Sequence, residues 1–300
     1  MSTVLIGVDA TARSEDAIAF ARALSPATST DFVVATVVQG PAAVPGSPAH
    51  EEAYATTRRM SGLLAGVEAE RIRIGVIESR SPAQGLHELA ATECAALIVV
   101  GSTHTGLLGR VRPGSTGERL LSGAPCAVAV APYGYRTRRD PVLRRIGVAY
   151  DGSAESRAAL EAGIAAARAL RAPLQVITVI PSDVYGAPAL MGGPGWVMAE
   201  PDVEKEIRKD LDETVAGIPS DVAVQGVALT GRPWRELEAR SSELDLLFIG
   251  SRGYGPLQAV VLGGTNGPLM REAHCPVVAL PRGADTPLTA LFGASETAAV

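Results

Sequence analysis

Lysine is almost missing from this chain: Lys205 and Lys209 are the only two in 300 residues, and both fall on one predicted helix. There is no G-x-x-x-x-G-K-[ST] segment, so phosphoryl transfer of the common nucleoside-triphosphatase kind lacks its phosphate-binding cation. Basic charge is not in surplus either. Against 32 Asp and Glu stand 27 Lys and Arg, a net charge of −5, which argues against a partner held by phosphate neutralisation and so against nucleic acid. No apolar run approaches the ~18 residues that would suggest a membrane span. The start MSTVLIGVDA puts no basic residue ahead of its short apolar run, so neither export nor membrane insertion is expected and a cytoplasmic protein is. Cysteine is scarce: Cys94, Cys126 and Cys275 form no C-x-x-C pair and are too few for a disulfide framework, which fits a reducing compartment. Cys126 and Cys275 each precede an apolar run, where the two readings are a small buried hydrophobe and a reactive thiol. The four histidines show no metal-ligand spacing, and no metal centre is expected. Also absent are G-x-G-x-x-G after the first strand and a Ser in G-x-S-x-G with a histidine partner.

What the chain has instead is a duplication. GSTHTGLLGRVRPGSTGERLLSGAPCAVAVAP from Gly101 recurs, without a gap, as GSRGYGPLQAVVLGGTNGPLMREAHCPVVALP from Gly250, at a constant offset of 149 residues. IGVDAT at Ile6 likewise matches IGVAYDGS at Ile146. Solenoid units run only ~20 to 50 residues and cannot bury a core alone, so a period this long means two domains, each large enough to fold. The expected division is 1–135 for the first, 136–145 for a linker, 146–283 for the second and 284–300 for a tail.

In the first copy the pattern predicts strands over Val4 to Val8, Phe32 to Val38, Arg71 to Ile77, Ala95 to Val100 and Ala127 to Val130. Helical segments separate them from about Ser14, Glu51, Pro82 and Ser115. The second copy repeats the order, with strands over Ile146 to Ala149, Leu174 to Ile180, Val222 to Ala228, Leu246 to Ile249 and Val277 to Leu280. Alternation of this kind predicts an α/β fold with a parallel sheet and helices on both faces. In such sheets the ligand crevice lies beyond the carboxyl ends of the strands where the strand order reverses. Asp9, Asp151 and both Gly-rich loops sit at strand carboxyl ends and are expected to converge there. The last strand of each copy reads either as an ordinary core strand or as a pairing edge.

The second loop runs Gly250, Gly253, Gly263, Gly264, Thr265 and then a helix. Such glycines permit positive φ and close approach of a ligand to backbone, and the following helix N-terminus favours an anion such as phosphate. The other reading is a set of tight turns, since the chain has 32 glycines to place. The full spacing, G-x-x-G, nine residues, then G and a hydroxyl residue after a buried strand, resembles the nucleotide loop of the universal stress protein family. The strand ends IGVDAT and VAYDGS, the DLLFIGSRGYG run and HCPVVALP extend that resemblance from Val4 to about Pro281, and two such domains on one chain resemble the tandem members.

The resemblance implies two tandem flavodoxin-like or Rossmann-like domains, each a five-stranded parallel sheet, packed together through their last strands as a pseudo-dimer, with association of two chains into a homodimer. It also implies ATP, or ADP or AMP, as ligand, with or without magnesium. Carried over by position, Gly250, Gly253, Gly263, Gly264 and Thr265 would cradle phosphate in the second copy, with Asp151, Gly152 and Ser153 on the adenosine side and the backbone of Val179 at the adenine edge. Gly264 stands where the family has Ser or Thr, so one hydroxyl contact shifts to Thr265 at a cost of about 1 kcal/mol. In the first copy the same positions are Gly101, His104, Gly114 and Ser115, with Asp9 and Val37. There His104 replaces a glycine, and Ala10 and Thr11 replace Gly152 and Ser153. The second site is therefore expected to be the better one.

Two readings of function from different classes stay open: a stress-response regulator acting by nucleotide occupancy, and a slow ATPase or self-phosphorylating enzyme with Ser153 or Thr265 as acceptor. A scaffold with vestigial sites is a third. Residues 181–201, rich in Pro and Gly and carrying Met191, Trp196 and Met198, read as a lid or partner surface or as a plain surface loop. Arg136 to Arg145, with five arginines, reads as a solvated linker or a site for an anionic partner. The tail is expected to be poorly ordered.

Overall fold

The apolar runs become the strands of one sheet, as a computed structural model describing residues 2–40, 45–103, 109–138, 142–181, 200–250, 266–281 and 287–293 shows. The first copy runs β1 (Thr3–Gly7), α1 (Ala12–Leu24), β2 (Asp31–Val38), α2 (Pro48–Ser61), β3 (Ile72–Glu78), α3 (Pro82–Thr92), β4 (Ala95–Gly101), α4 (Ser115–Gly123) and β5 (Ala127–Ala131). The second runs β6 (Ile146–Ala149), α5 (Ala154–Leu170), β7 (Leu174–Pro181), α6 (Glu200–Ala216), β8 (Val224–Gly231), α7 (Pro233–Ser241), β9 (Leu246–Gly250), α8 (Asn266–Glu272) and β10 (Val277–Leu280). Ser-Pro pairs start two of the helices: Ser47 Oγ accepts from His50 N ahead of Pro48, and Ser81 Oγ from Gln84 N ahead of Pro82. Each satisfies a backbone donor that the first turn leaves without an intrahelical partner.

Within each copy every strand pairing is parallel, and the order is 3-2-1-4-5 in the first and its counterpart in the second. The strand order reverses between β1 and β4, and again between β6 and β9, which places one crevice beyond each of those junctions. Helices α1, α2, α5 and α6 cover one face, over a core that includes Phe20, Met60, Leu160 and Leu211. The other face lies under α3, α4, α7 and α8, with Leu86, Leu120, Leu237 and Met270. Coverage on both sides is why β4, β5, β9 and β10 read as unbroken apolar runs.

The two halves form a single ten-stranded sheet because β5 and β10 pair antiparallel, Val130 with Val277 and Val128 with Ala279. Beside this seam the segment before α4 crosses to the second copy. Val111 N donates to Ala273 O at 2.7 Å, and Arg110 donates to the Glu272 carbonyl and pairs with Glu238, which also meets His274 Nε2 at 3.1 Å. Burial pushes the Glu238 carboxyl up, but its hydrogen bonds from Arg110 and His274 outweigh this and hold it below the usual range.

Two expectations are corrected. The arginine-rich junction is pinned by specific partners, although Arg138, Arg144 and Arg145 stay exposed. Asp16, wholly buried, accepts from Gly134 N, Arg136 N and the Arg136 guanidinium, while the Arg138 guanidinium lies 4.9 Å from the Tyr135 ring and donates to His274 O. Arg144 N and Arg145 N both donate to Asp245 Oδ2. A buried carboxylate needs such partners, and that need draws the junction onto α1. Part of the tail is likewise ordered: Leu288–Phe292 forms a 3-10 turn that buries Leu288, Leu291 and Phe292 against α5 and β4, and Ser2 Oγ donates to Ala290 O. Three apolar side chains in five residues repay the ordering of the turn, which overall Thr/Ala richness had hidden. Residues 182–199, read as lid or loop, lie outside the described residues. Cys126 and Cys275 are buried, and burial pushes the Cys275 thiol up to about 12, which makes it a core residue rather than a nucleophile.

Leu291→Ala is expected to cost about 2–4 kcal/mol in urea denaturation, because it empties a site that is 1% exposed; a loss below about 0.5 kcal/mol would mean the turn is not part of the core. Glu238, with its folded pKa depressed, stabilises the protein above its unfolded value of 4.5 and loses that contribution as pH falls through the folded value. Glu238→Gln should therefore flatten the fall in melting temperature between about pH 5 and pH 3. A parent and variant with parallel pH profiles would remove Glu238 from the seam's electrostatics.

Candidate functional site

In the first copy β1 delivers Asp9 to the crevice mouth, and the first turn of α1 folds back over it. Asp9 Oδ1 accepts from Thr11 N, Thr11 Oγ1 and Ser14 Oγ, and Oδ2 accepts from Arg13 Nε at 2.8 Å and from Arg13 Nη2. Burial raises the carboxyl's pKa, but Arg13, Thr11 and Ser14 together bring it below the ordinary aspartate value. Next to β1, β4 ends at Gly101, and a Cβ placed there would lie 1.9 Å from the Arg13 carbonyl oxygen. Glycine at 101 is therefore what lets the helix start sit directly on the strand end. Gly250 does the same in the second copy, where a Cβ would lie 2.5 Å from the Glu155 carbonyl carbon. Neither has positive φ; close approach of backbone to backbone, not left-handed geometry, requires glycine.

Past Gly101 the chain is tied down at both ends of its loop. Ser102, buried, donates its hydroxyl to Ala131 O and accepts from Arg112 N, and Thr103 N donates to Arg112 O at 2.8 Å. This brings Gly114 to the N-cap of α4 with an extended backbone and no side-chain cap, followed by the exposed Ser115. Gly114 thus offers the first N–H groups of α4 no side-chain cap, beside the end of β4. Asp9, Gly101, Gly114 and Ser115 do come together at the switch point, with Val37 half-buried on the neighbouring β2. His104 lies outside the described residues.

The second crevice is built from the same parts with different wiring. Gly152 has φ +75, a turn that Ala10 makes without positive φ, since Cys94 and Arg171 are the non-glycine residues in that region among those described. Ser153 Oγ caps α5 by accepting from Ser156 N at 3.2 Å, whereas Thr11 gives its hydroxyl to Asp9 and α1 has no side-chain cap. Asp151 Oδ1 accepts from Ser153 N at 3.1 Å, and Ser156 Oγ donates to Ser153 O. The place of Arg13 is taken by Glu155. Val179 is half-buried on β7 beside β6. Gly253, Gly263, Gly264 and Thr265 lie outside the described residues.

Sequence reasoning missed two residues. Ser102 had a signal, because Gly-Ser recurs at the same place in both copies; it was read as loop and is a buried brace. Arg13 had a subtler one, a charge reversal between otherwise matching copies. Among the described residues, no helix is long and apolar enough to cross a membrane, and no group of three or more His, Cys, Asp or Glu is arranged to hold a metal ion.

Comparison with known proteins gives one consistent result. The sequence model of the universal stress protein family matches residues 1–132 and again 143–281. A universal stress protein of Mycobacterium tuberculosis is 30% identical over 187 residues, and the match spans 61% of this chain and 61% of that relative's length. One of Mycolicibacterium smegmatis is 29% identical over 293 residues, covering 92% of this chain and 95% of the relative. The crystal structure of a universal stress protein from Archaeoglobus fulgidus has the same fold, with a TM-score of 0.70 at 18% identity over 94% of this chain and 98% of that one.

The reason for each glycine can be checked by adding one methyl group. Gly101→Ala and Gly250→Ala should each cost about 1–3 kcal/mol in denaturant unfolding, because the clash is with backbone that cannot rotate away. Gly114→Ala, whose Cβ would meet side chains alone, the Thr103 methyl at 3.1 Å and Arg13 Nη1 at 3.8 Å, should cost less than about 1 kcal/mol. Equal costs at all three would refute the close-approach explanation.

Proposed function

Taking as premise that this chain belongs to the universal stress protein family, by two matches that together span most of its length, we propose that it is a stress-response regulator that binds an adenine nucleotide, ATP in the first place. It signals by occupancy rather than by fast chemistry. The observation that carries the reading is the convergence at one switch point of Asp9, Gly101 and the N-terminus of α4 at Gly114 and Ser115, where the N-cap glycine offers that helix no side chain. Backbone N–H groups and a hydroxyl at a helix start are donors suited to a phosphate, so the residues present fit the group. In the first crevice Gly114 and Ser115 would hold phosphate, with Asp9 and the Val37 backbone toward the nucleoside. In the second, Gly250, Gly253, Gly263, Gly264 and Thr265 would hold phosphate, with Asp151, Gly152, Ser153 and Val179 opposite. When bound, the nucleotide supplies a polyanion, with or without magnesium; the chain supplies hydrogen-bond donors.

The enzyme reading gets little support from the charges in place. Lys209 pairs with Glu213 on the outer face of α6, and neither lysine stands at a strand end. We take the domains to be 1–135 and 146–283, one site each. We place the protein in the cytoplasm, where its three free thiols suit a reducing environment, and take it to pair with a second copy.

Denaturing release of bound nucleotide, read by chromatography and mass spectrometry, tests the reading on the parent, Gly263→Val and Gly114→Val. Adenine nucleotide should come off the parent and fall most in Gly263→Val, and light scattering on the same preparations reads the association state. If nothing is released and added ATP leaves the melting temperature unchanged, the nucleotide reading is wrong.

A further inference from the structure

Arg13, in the first turn of α1, is fixed at the first crevice by its backbone and by its side chain. Its carbonyl oxygen rests on Gly101 so closely that a Cβ there would stand 1.9 Å away, and its guanidinium donates through Nε and Nη2 to Asp9 Oδ2. Resting on the nucleotide reading above, we propose that Arg13 is a phosphate-binding cation of the first crevice, using the edge of its guanidinium that Asp9 leaves open.

A guanidinium carries five N–H donors in a rigid planar fork. The pair formed by Nε and Nη2 is turned to the carboxylate, and no other hydrogen bond of Arg13 falls among the described residues. Both N–H groups of Nη1 and the second of Nη2 are left, and they make up the end of the fork. That end lies toward α4: Nη1 is 3.8 Å from where a Cβ on Gly114, the N-cap of the helix, would stand. A phosphate seated on the first N–H groups of α4 would therefore meet a guanidinium edge whose geometry matches two of its oxygens. The side chain is 38% exposed, so the cation keeps part of its hydration until a ligand arrives.

Asp9 has a part in this as the positioning residue. Its Oδ1 is occupied by Thr11 N, Thr11 Oγ1 and Ser14 Oγ, which fixes the plane of the carboxylate and leaves Oδ2 to Arg13. Paired in this way, the aspartate no longer presents a bare negative charge to a polyanion a few ångströms away. The rest of the chain explains why an arginine outside the Gly-rich loop would serve. There are only two lysines, and both stand on α6, where Lys209 pairs with Glu213.

Calorimetric titration of the full chain with magnesium-ATP, and separately with adenosine, at low and high salt tests this. Arg13→Gln should weaken one ATP step about tenfold, the order expected for one charge-assisted contact at a partly exposed site, and flatten the salt dependence of that step. Arg13→Lys should recover part of the loss, since the charge stays and the fork goes. Adenosine, which has no phosphate, should bind parent and Arg13→Gln alike. Gly114→Val should abolish the same ATP step, and Arg13→Gln added to it should change nothing further, which assigns the contact to the first crevice. If the parent binds ATP and Arg13→Gln leaves every step unchanged or tightens one, the inference is overturned while the nucleotide reading stands. It is overturned too if the affected step survives Gly114→Val, or if adenosine loses as much as ATP, because Arg13 would then only hold the Asp9 turn in shape. Where adenosine binds too weakly to titrate, an unchanged salt dependence in Arg13→Gln overturns it in the same way. If the parent binds neither compound, the nucleotide reading itself fails and the inference falls with it. Melting curves of each variant confirm that it is folded before titration.

Discussion

Pairing β5 with β10 takes from each five-stranded half the strand that could least stand alone. AVAVA and VVAL are buried along their whole lengths, so either would leave an apolar edge with unpaired backbone if its copy were separated from the other. Much of the rest of the molecule follows from satisfying that edge. The chain must travel from the end of β5 to the start of β6 around the seam, which it does with Asp16 buried as the anchor and Arg136 as its counter-ion. The segment before α4, placed beside the seam by the fold of its own domain, finds the second copy's α7 and α8 within reach and binds them through Arg110 and Val111.

The crevices are set by a different and more local constraint, the absence of a side chain at Gly101 and Gly250. Each lets the first turn of a helix rest on the carboxyl end of a neighbouring strand, and that contact holds the aspartate loop against the loop that follows the glycine. Rigid strand ends on one side and a helix start on the other leave little slack between Asp9 and Gly114. It is such a preorganised corner that the proposed phosphate contact calls on.

Much of this was legible from residues alone because strands buried on both faces must be apolar throughout, and because the chain repeats itself. The strand assignments, the duplication and the convergence of Asp9 with Gly101 all came from those two signals. What stayed hidden depended on partners remote in sequence. Leu288, Leu291 and Phe292 sit in a stretch whose average composition says loop, and only their burial against α5 and β4 reveals a packed turn. Arg136 and Arg138 read in sequence as a bare linker cluster because their partners, Asp16 and the His274 carbonyl, lie more than a hundred residues away. For the glycines at 101 and 250 the reason offered, freedom of φ, is replaced by steric contact with a helix more than eighty residues away in the chain. The reach of Arg13 to Asp9 spans only one helical turn, yet it showed in the sequence only as a mismatch between copies.

Because β5 and β10 run antiparallel, every strand of one copy points opposite to its counterpart, and the two crevices open at opposite ends of the sheet. The arrangement is an approximate two-fold axis written into one polypeptide. In an assembly of two identical chains any substitution appears on both sides of such an axis, so the sites can only change together. A covalent two-fold removes that bond between them. An arginine at 13 can stand where the other half has a glutamate at 155, and a symmetric framework comes to carry two strand-end mouths of unlike charge.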